Sequence, residues 1–133
     1  SQYFFADASV IVTPPDKEVT LPTEDVSFEL KTEQLDKLLK AAAIYQLPDL
    51  AVTGEAGVVK VVVRDKKSDT SNSFSITVGE TDREFSFNFK VENIKILPGT
   101  YDVVVSQKLL SRFTSTTHDL TYYIALEPDS TFE

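Results

Sequence analysis

The chain carries the same pattern of residues twice, and this repeat restricts the possible folds more than any other feature of the sequence. Residues 26–39 read VSFELKTEQLDKLL, and residues 85–97 read FSFNFKVENIKIL. With Val26 aligned on Phe85, ten positions contain four identities and three exchanges of one apolar residue for another. Each copy continues through a helical segment and a Leu-Pro pair into three strand-like runs. The sequence therefore predicts one supersecondary unit, β-α-β-β-β, built twice.

The first copy shows how each unit begins. In residues 26–31 apolar and polar side chains alternate, which predicts a strand with one buried face. Thr32 is the expected N-cap of a helix from Glu33 to about Tyr45, which a Leu-Pro pair then ends. The side chains of its predicted buried stripe recur at helical spacing: Leu35, Leu38, Leu39 and Ala42. The second copy has room for only one or two helical turns, in residues 91–96.

Strands account for most of the remaining sequence. Alternating and β-branched runs predict them in residues 2–12, 50–53, 58–64, 73–78, 85–89, 100–106, 109–114 and 120–126. Residues 127–133 are predicted to form an acidic tail in which Phe132 is exposed, packed on a neighbour or disordered. Mostly antiparallel strands with helices gathered on one face of the sheets indicate the α+β class.

Composition excludes several classes of function. The chain has 133 residues, which suits one domain, with no cysteine and a single histidine, His118, in a Ser/Thr-rich loop. A disulfide framework, a thiolate metal site and a cysteine nucleophile are therefore excluded, and an isolated loop histidine is not expected to bind a metal or act as a base. The sequence shows no glycine-rich phosphate loop and no hydrolase motif. We expect neither an enzyme nor a cofactor.

Charge argues against nucleic-acid binding only when it is summed over the whole chain. The net charge is −8, whereas affinity for phosphate comes from Lys and Arg side chains. The distribution of charge over separate faces decides, however, which ligands each surface attracts. No apolar run approaches the length of a membrane span and no signal peptide is recognisable, so no membrane partner is expected.

Two segments of the second half resemble a known family. Residues 92–105, ENIKILPGTYDVVV, and residues 122–133, YYIALEPDSTFE, are similar to the C-terminal domain of the sliding clamp of T-even-type bacteriophages, and ALEPDST is the most specific piece. The resemblance implies a C-terminal clamp domain in residues 26–133, with units 26–79 and 85–127, after an interdomain linker in residues 16–25. Residues 1–15 would be the last strand of an absent N-terminal domain. Every domain of the family contains two β-α-β-β-β units, so a DNA-clamp (processivity) fold is implied.

The resemblance also implies a function in DNA replication. Clamps of this family are rings of three subunits, with two domains each, that encircle double-stranded DNA without sequence preference and hold the replicative DNA polymerase on its template. An ATP-driven clamp loader opens them, and the clamps themselves catalyse no reaction. A closed ring cannot dissociate without opening, so helices with modest positive charge suffice to line the hole. The chain would act in the cytoplasm of an infected bacterial host.

Two sites follow from the resemblance. The side chains expected to face DNA are lysines in or beside the helical segments: Lys31, Lys37, Lys40, Lys90 and Lys95. A pocket for partner peptides is expected beside the linker and the C-terminal segment, formed by Leu21, Pro22, Val104, Ala125, Leu126 and Pro128. Alternatively, Lys37 forms only an exposed ion pair with Glu33, four residues before it, and most of the pocket residues belong to the core.

Two other interpretations remain open. An acidic phage structural or adhesion module would bind protein only, and a clamp relative that no longer encircles DNA would retain only peptide binding. A clamp places Lys37, Lys40 and Lys95 on one common helical face, whereas a structural module need not do so. In the family the N-terminal domain supplies half of each subunit contact, so the oligomeric state of this chain alone is open.

Overall fold

The computed structural model describes residues 10–14, 19–68 and 72–133 of the chain. Its strands are β1 (Val10–Thr13), β2 (Val26–Leu30), β3 (Asp49–Glu55), β4 (Val58–Arg64), β5 (Phe74–Glu80), β6 (Phe85–Lys90), β7 (Tyr101–Ser106), β8 (Leu110–Ser115), β9 (Thr121–Ala125) and β10 (Thr131–Phe132). One α-helix, α1 (Thr32–Tyr45), and one 3-10 turn, Val91–Asn93, complete the regular structure of these residues. The doubled order of elements is therefore confirmed, with the 3-10 turn in place of a helix in the second unit.

The two repeated units exchange their first strands. The described residues form two antiparallel sheets: sheet A in the order β1-β9-β8-β7-β2, and sheet B in the order β10-β6-β3-β4-β5. β2 of the first unit therefore pairs with β7 of the second, and β6 of the second pairs with β3 of the first. Neither unit forms a complete sheet by itself, because each sheet combines one strand of one unit with three strands of the other.

The hydrophobic core lies between the inner faces of the two sheets, and α1 packs into it. Because side chains alternate along a strand, Phe85, Phe87 and Phe89 all project inward from β6, and none of them is more than 5% exposed. The Phe89 ring meets Phe113 of β8 edge to face, with the ring centroids 6.3 Å apart. Full burial of one such side chain stabilises the fold by about 1.5–3 kcal/mol. Contacts between the sheets are thus a large part of what holds the domain together.

The helix buries the stripe that its sequence predicts. Leu35, Leu38 and Ala42 are at most 3% exposed, and α1 packs on β4 and β5. Leu39 is partly buried against the same core. The helix ends at Tyr45, as the following Leu-Pro pair predicts. Its orientation on the sheet is therefore set by one side of the helix, which leaves the other side free for solvent.

The predicted N-cap is wrong by one residue. Lys31 caps α1 with an extended backbone, and its N–H donates to Gln34 Oε1 at 2.9 Å. The Thr32 N–H instead donates to Thr100 Oγ1 at 3.1 Å, and the two threonine hydroxyls lie 2.9 Å apart. A threonine before a helix ordinarily bonds an amide of the first turn. In this chain the Thr32 hydroxyl instead forms a hydrogen bond with Thr100, 68 positions away in sequence. The helix therefore begins one residue earlier than predicted.

The C-terminal tail folds back on its own domain and half-buries Phe132, which the sequence analysis leaves as exposed, packed on a neighbour or disordered. β10 pairs with β6, with Thr131 opposite Ser86 and Phe132 opposite Phe85. The Phe132 ring stacks on the rings of Phe85 and Phe87 at centroid distances of 5.9 and 5.7 Å. Aromatic burial and backbone pairing together explain why this acidic segment folds back onto the domain.

Only part of the predicted first strand falls within the described residues. Positions 2–9 lie outside them, whereas Val10–Thr13 forms β1 and pairs with β9 at the edge of sheet A. The described part of the strand expected to close an N-terminal domain therefore extends a sheet of this domain.

Gly54→Ala should destabilise the fold, because Gly54 faces Phe85 across the β3–β6 ladder. A methyl group at Gly54 would overlap the edge of the Phe85 ring. Displacing a ring packed in the core costs about 1–3 kcal/mol, so the free energy of unfolding measured in urea should fall by that amount. Gly79→Ala in β5 is the matched control, since the nearest atom to its methyl would be Val59 Cβ at 4.0 Å. Equal losses in the two variants would contradict this packing.

Candidate functional site

The exposed side of α1 carries two of the lysines predicted to face DNA. With about 3.6 residues per turn, Lys37 and Lys40 lie on the side opposite the buried Leu35 and Leu38, and both lysines are exposed. The ion pairs of the described residues do not include one between Lys37 and Glu33. Because packing in the core holds the helix, it also holds the direction in which these two ammonium groups project.

Lys31 and Lys95 are exposed beside the two helical segments. Lys31 is the N-cap of α1, and Lys95 follows the 3-10 turn in a segment held by two buried tyrosines. The Leu97 N–H donates to the Tyr122 hydroxyl at 3.1 Å, and the Tyr101 hydroxyl donates to the Leu97 carbonyl at 2.5 Å. Burial raises the pKa of Tyr101 to about 12, which extends the pH range over which this hydroxyl remains a donor. The loop that carries Lys95 is thus anchored to sheet A.

Lys90 lies on a different face from the lysines of α1. Phe89 points into the core, so alternation along β6 places Lys90 on the outer face of sheet B. Its Nζ lies 3.7 Å from Glu127 Oε1 of the C-terminal tail. Since α1 packs on the inner side of that sheet, the structure does not bring Lys90 together with Lys37 and Lys40.

The outer face of sheet A carries a second apolar surface. The register of β7, β8 and β9 places Val104, Arg112 and Tyr123 in one row on this face. Tyr123 is 1% exposed although it projects away from the space between the sheets. It is therefore buried by a segment that lies over the outer face, and residues 19–25 form that segment.

Residues 19–25, which we call the covering segment, are anchored along this face. The Val19 N–H donates to the Tyr123 hydroxyl at 2.9 Å, and the Glu24 carboxylate lies 3.6 Å from the Arg112 guanidinium. Leu21, between these two anchors, is 4% exposed but is not part of the core between the sheets. The predicted linker thus packs on the domain in its described part.

Asp25 fixes the end of the covering segment next to β2. Its carboxylate accepts hydrogen bonds from the Gln107 N–H at 2.8 Å, from Gln107 Nε2 at 3.1 Å and from the Thr23 hydroxyl. Partial burial raises the pKa of Asp25, but these hydrogen bonds, with the Gln107 backbone first, outweigh burial and leave the pKa below its ordinary value. The Thr23 hydroxyl also lies 2.6 Å from that of Ser106. The segment is therefore tied to the turn between β7 and β8.

Three of the predicted pocket residues meet on the outer face of sheet A: Leu21, Val104 and Ala125. Leu21 is buried, whereas Val104 and Ala125 are half-buried beside the covering segment. Leu126 differs, since it is 5% exposed and belongs to the core between the sheets. Pro22 and Pro128 are exposed. The structure thus assembles half of the predicted set into one surface.

Sequence reasoning missed Tyr123 and Arg112, which border the same surface. The signal for Tyr123 was present in the run YYIAL, because alternate residues of a strand share a face. Tyr122 and Ile124 project inward, whereas Tyr123 and Ala125 project outward. No local signal identifies Arg112, since its partner Glu24 is distant in sequence.

Neither a metal centre nor a membrane-spanning helix is found in the described part of the chain. Within residues 10–14, 19–68 and 72–133, no three His, Asp or Glu side chains are grouped so that they could hold a metal ion. The helix of these residues is too short and too polar to cross a membrane. His118 is exposed in the loop between β8 and β9.

Comparison with known proteins gives one consistent result. The family model described as gp45 sliding clamp, C terminal, matches residues 27–128. The sliding clamp of Escherichia phage RB69 is 33% identical over 136 residues, and that of Vibrio phage KVP40 is 35% identical over 130 residues. These alignments cover 96% and 92% of this chain, and the chain spans 58% of the length of each relative. The sliding clamp of Enterobacteria phage T4 is 30% identical, again with 58% of its length covered.

A solved structure shares the fold. The chain matches Caulobacter crescentus pol III beta with a TM-score of 0.58 over 80% of this chain and 31% of that one. At 11% identity this likeness shows the fold alone. The two interlocked β-α-β-β-β units are thus an arrangement that also occurs in a sequence with little similarity.

Lowering the pH should weaken the attachment of the covering segment through Asp25. Since folding lowers the pKa of Asp25, its carboxylate stabilises the fold above the ordinary pKa of 3.8, and this contribution is lost as the pH falls through the folded value. Asp25→Asn should therefore lower the unfolding temperature at about pH 6. The difference in unfolding temperature between the variant and the unsubstituted chain should shrink as the pH is lowered toward about 2.5. Asp102→Asn, an exposed position on β7, is the control. A difference independent of pH would contradict the role of the Asp25 charge.

Proposed function

The chain belongs to the gp45 sliding-clamp family, and we propose that it forms the C-terminal part of a ring that encircles duplex DNA and tethers the replicative polymerase. The observation that carries this proposal is the exposed side of α1, where Lys37 and Lys40 project away from a helix held by the core. Lys31, the N-cap of α1, and Lys95, which follows the 3-10 turn, are also exposed, and we include both in the proposed DNA-facing set. The role is mechanical, and the chain catalyses no reaction.

A closed ring reconciles an acidic protein with DNA binding. The net charge of −8 repels DNA on average, and a protein that relied on affinity would need many phosphate contacts. A ring is retained by its topology, so a few lysines that contact phosphates without reading bases are sufficient, and weak contacts permit sliding. The exposed side of α1 is itself mixed, since Glu33 and Asp36 are exposed there beside Lys37 and Lys40, so any attraction of this side for DNA is weak, as sliding requires.

Ring assembly requires a surface that the domain leaves without a partner. β5 is an edge strand of sheet B among the described residues. At the end of α1, which packs on β5, Ile44 and Tyr45 are 66% and 53% exposed. We infer that this side of the domain contacts a neighbouring subunit in a trimeric ring, which an ATP-driven clamp loader opens in the cytoplasm of an infected bacterium.

Lys37→Glu combined with Lys40→Glu should weaken the attraction of the assembled ring for DNA. Each lost phosphate contact reduces the slope of log affinity against log salt by about 0.9, so binding of a short duplex should lose salt dependence as well as strength. The measurement is a salt titration of duplex binding by the full-length ring, followed by polymerase processivity on primed circular DNA.

Lys60→Glu is the matched control for this charge reversal, because Lys60 is exposed on β4 and its alternation places it on the outer face of sheet B. It should leave both the salt slope and the processivity unchanged. If the double variant behaves like Lys60→Glu while remaining folded, the interpretation as a protein-binding module without DNA encirclement replaces the ring.

We propose further that the outer face of sheet A binds peptides of the polymerase and the clamp loader. Val104 and Ala125 are half-buried there, and Leu109 beside them is 36% exposed. The covering segment borders this surface and is held by polar contacts at its ends, through Val19 and Asp25. An apolar surface beside an anchored segment suits a short peptide with apolar anchors.

Ala125→Glu should weaken polymerase binding at least about tenfold, which corresponds to about 1.4 kcal/mol. The reason is that a carboxylate in a half-buried apolar site must be desolvated when a peptide covers it. Titration of the polymerase against the ring measures the effect. Thr114→Glu, on the same outer face but at the other end of β8, should bind as the unsubstituted ring does. Equal affinities for the two variants would place the partner site elsewhere.

A further inference from the structure

The outer edge of β6 is completely covered by residues 127–133, which we call the tail. The Glu127 N–H donates to the Asn88 carbonyl at 2.7 Å, and the Glu133 N–H donates to the Glu84 carbonyl at 2.9 Å. Between these two points the strand β10 pairs with β6, and the Asn88 N–H donates to Ser130 Oγ at 2.8 Å. The tail therefore occupies the edge as an added strand does, although only two of its residues form a regular ladder.

The first half of the tail is held by charge. Lys66 Nζ lies 2.7 Å from Asp129 Oδ2, and Lys90 Nζ lies 3.7 Å from Glu127 Oε1. Asn88 Nδ2 donates to Asp129 Oδ1 at 3.1 Å. The hydrogen bond from Lys66 lowers the pKa of Asp129, so this carboxylate is charged at neutral pH. Two cations and one amide of the domain thus recognise two carboxylates spaced along an extended segment.

The second half of the tail is held by an aromatic ring. Phe132 stacks on Phe85 and Phe87, and the Arg83 guanidinium carbon lies 4.6 Å from the Phe132 ring centroid. Arg83 Nε also donates to the Glu133 carbonyl at 2.8 Å. The domain therefore provides a place for one aromatic side chain next to a guanidinium and two buried rings.

The tail is not held as firmly as a core strand. In each ion pair one side chain is about half exposed, Asp129 at 52% and Lys90 at 48%, whereas its partner is 25% or 23% exposed. Solvent therefore screens one end of each pair, which limits its contribution to stability. A groove of about 250 Å³ runs beside β10. Its lining comes from β3, β4, β6 and the tail itself, and it includes Arg64, Ser86 and Thr131. The tail therefore covers the edge without filling the space next to it.

We propose that this strip, formed by β6 with Lys66, Lys90 and Arg83, is a binding site for an extended acidic peptide of a partner protein, with two carboxylates followed by one aromatic residue. The tail occupies the site as an intramolecular substitute, and the partner peptide displaces it. The chemistry of the tail defines the partner peptide, because each group of the strip already contacts a complementary group of the tail. Backbone pairing with the edge of β6, after the tail has left it, supplies the affinity, and the cations and the aromatic place supply the specificity.

A nucleic acid fits the strip less well than a peptide. At the aromatic end the groove is lined by Glu55 and Glu84 as well as by Arg64, so a continuous row of phosphates would meet carboxylates there. The backbone groups of Glu84 and Asn88 point to a strand as ligand, because both now bond backbone or hydroxyl groups of the tail. The site is separate from the exposed side of α1 and from the outer face of sheet A, so the proposal does not depend on the ring.

The test uses a fluorescein-labelled peptide of residues 127–133, EPDSTFE, added to the full chain. In the unsubstituted chain the attached tail competes at an effective concentration of about millimolar. A variant with Asp129→Asn and Phe132→Ala loosens the tail and leaves the strip intact, so it should bind the peptide at least about tenfold more tightly. Peptides that carry Asp129→Asn or Phe132→Ala should bind this variant at least about tenfold more weakly, because each lacks one of the recognised groups.

Three outcomes would overturn the proposal. First, the loosened variant could be folded, as a cooperative unfolding transition would show, and yet bind no peptide. Second, it could bind the substituted peptides as tightly as the unsubstituted peptide. Third, a single-stranded oligonucleotide could compete for the site as well as the peptide does. If the loosened variant does not fold, NMR of the unsubstituted chain decides. Millimolar peptide should then shift the amide signals of Ser130 and Phe132 toward free-chain values, while the amide of Asn88 stays protected. Unchanged signals at Ser130 and Phe132 would exclude an exchangeable tail.

Discussion

Backbone pairing between the two repeated units is the constraint on which the rest of the structure depends. β2 lies against β7 with Val26 opposite Val105, and β3 lies against β6 with Leu50 opposite Phe89. Since alternate residues face opposite sides, a shift of one position in either ladder would turn a row of core side chains out to solvent. Neither unit can bury its apolar face alone, so both must be in place before the core between the sheets exists.

The same register determines which side chains project from the outer face of each sheet, and the two outer faces differ in polarity. Sheet A turns Val104 and Tyr123 outward, and the covering segment lies over this apolar surface. Sheet B turns Asn88 and Lys90 outward, and the polar tail lies over them. Each outer face is thus matched by a chain segment outside the repeat. Each segment is attached by polar contacts near the surface together with one apolar side chain, Leu21 in the covering segment and Phe132 in the tail. With so few apolar anchors, the two segments are the parts of the domain that a partner can most easily rearrange.

The sequence predicts the elements far better than it predicts which groups meet. Periods of two and of about 3.6 residues suffice for β2, α1 and β6, because they reflect one buried side of each element. The N-cap of α1 lies one residue before the predicted one, because the Thr32 hydroxyl meets Thr100. The tail packs on its own domain because Phe132 meets Phe85. Both contacts join positions far apart in sequence, so no local sequence pattern predicts them. Alternation after Phe89 does predict, from the sequence alone, that Lys90 points away from the core.

The net charge of the chain likewise does not predict which ligand an individual surface attracts. With a net charge of −8 the chain as a whole repels an anionic ligand. Lys37 and Lys40 nevertheless share one side of α1, and Lys66 and Lys90 both lie beside the tail. The first pair has no carboxylate partner among the ion pairs of the described residues, whereas the second pair is neutralised by the tail. Local fields extend only about one Debye length, roughly 8 Å at physiological salt. Two groups of lysines at separate places on the domain can therefore attract different anions, although Glu33 and Asp36 lie close enough to Lys37 to weaken the field of the first group.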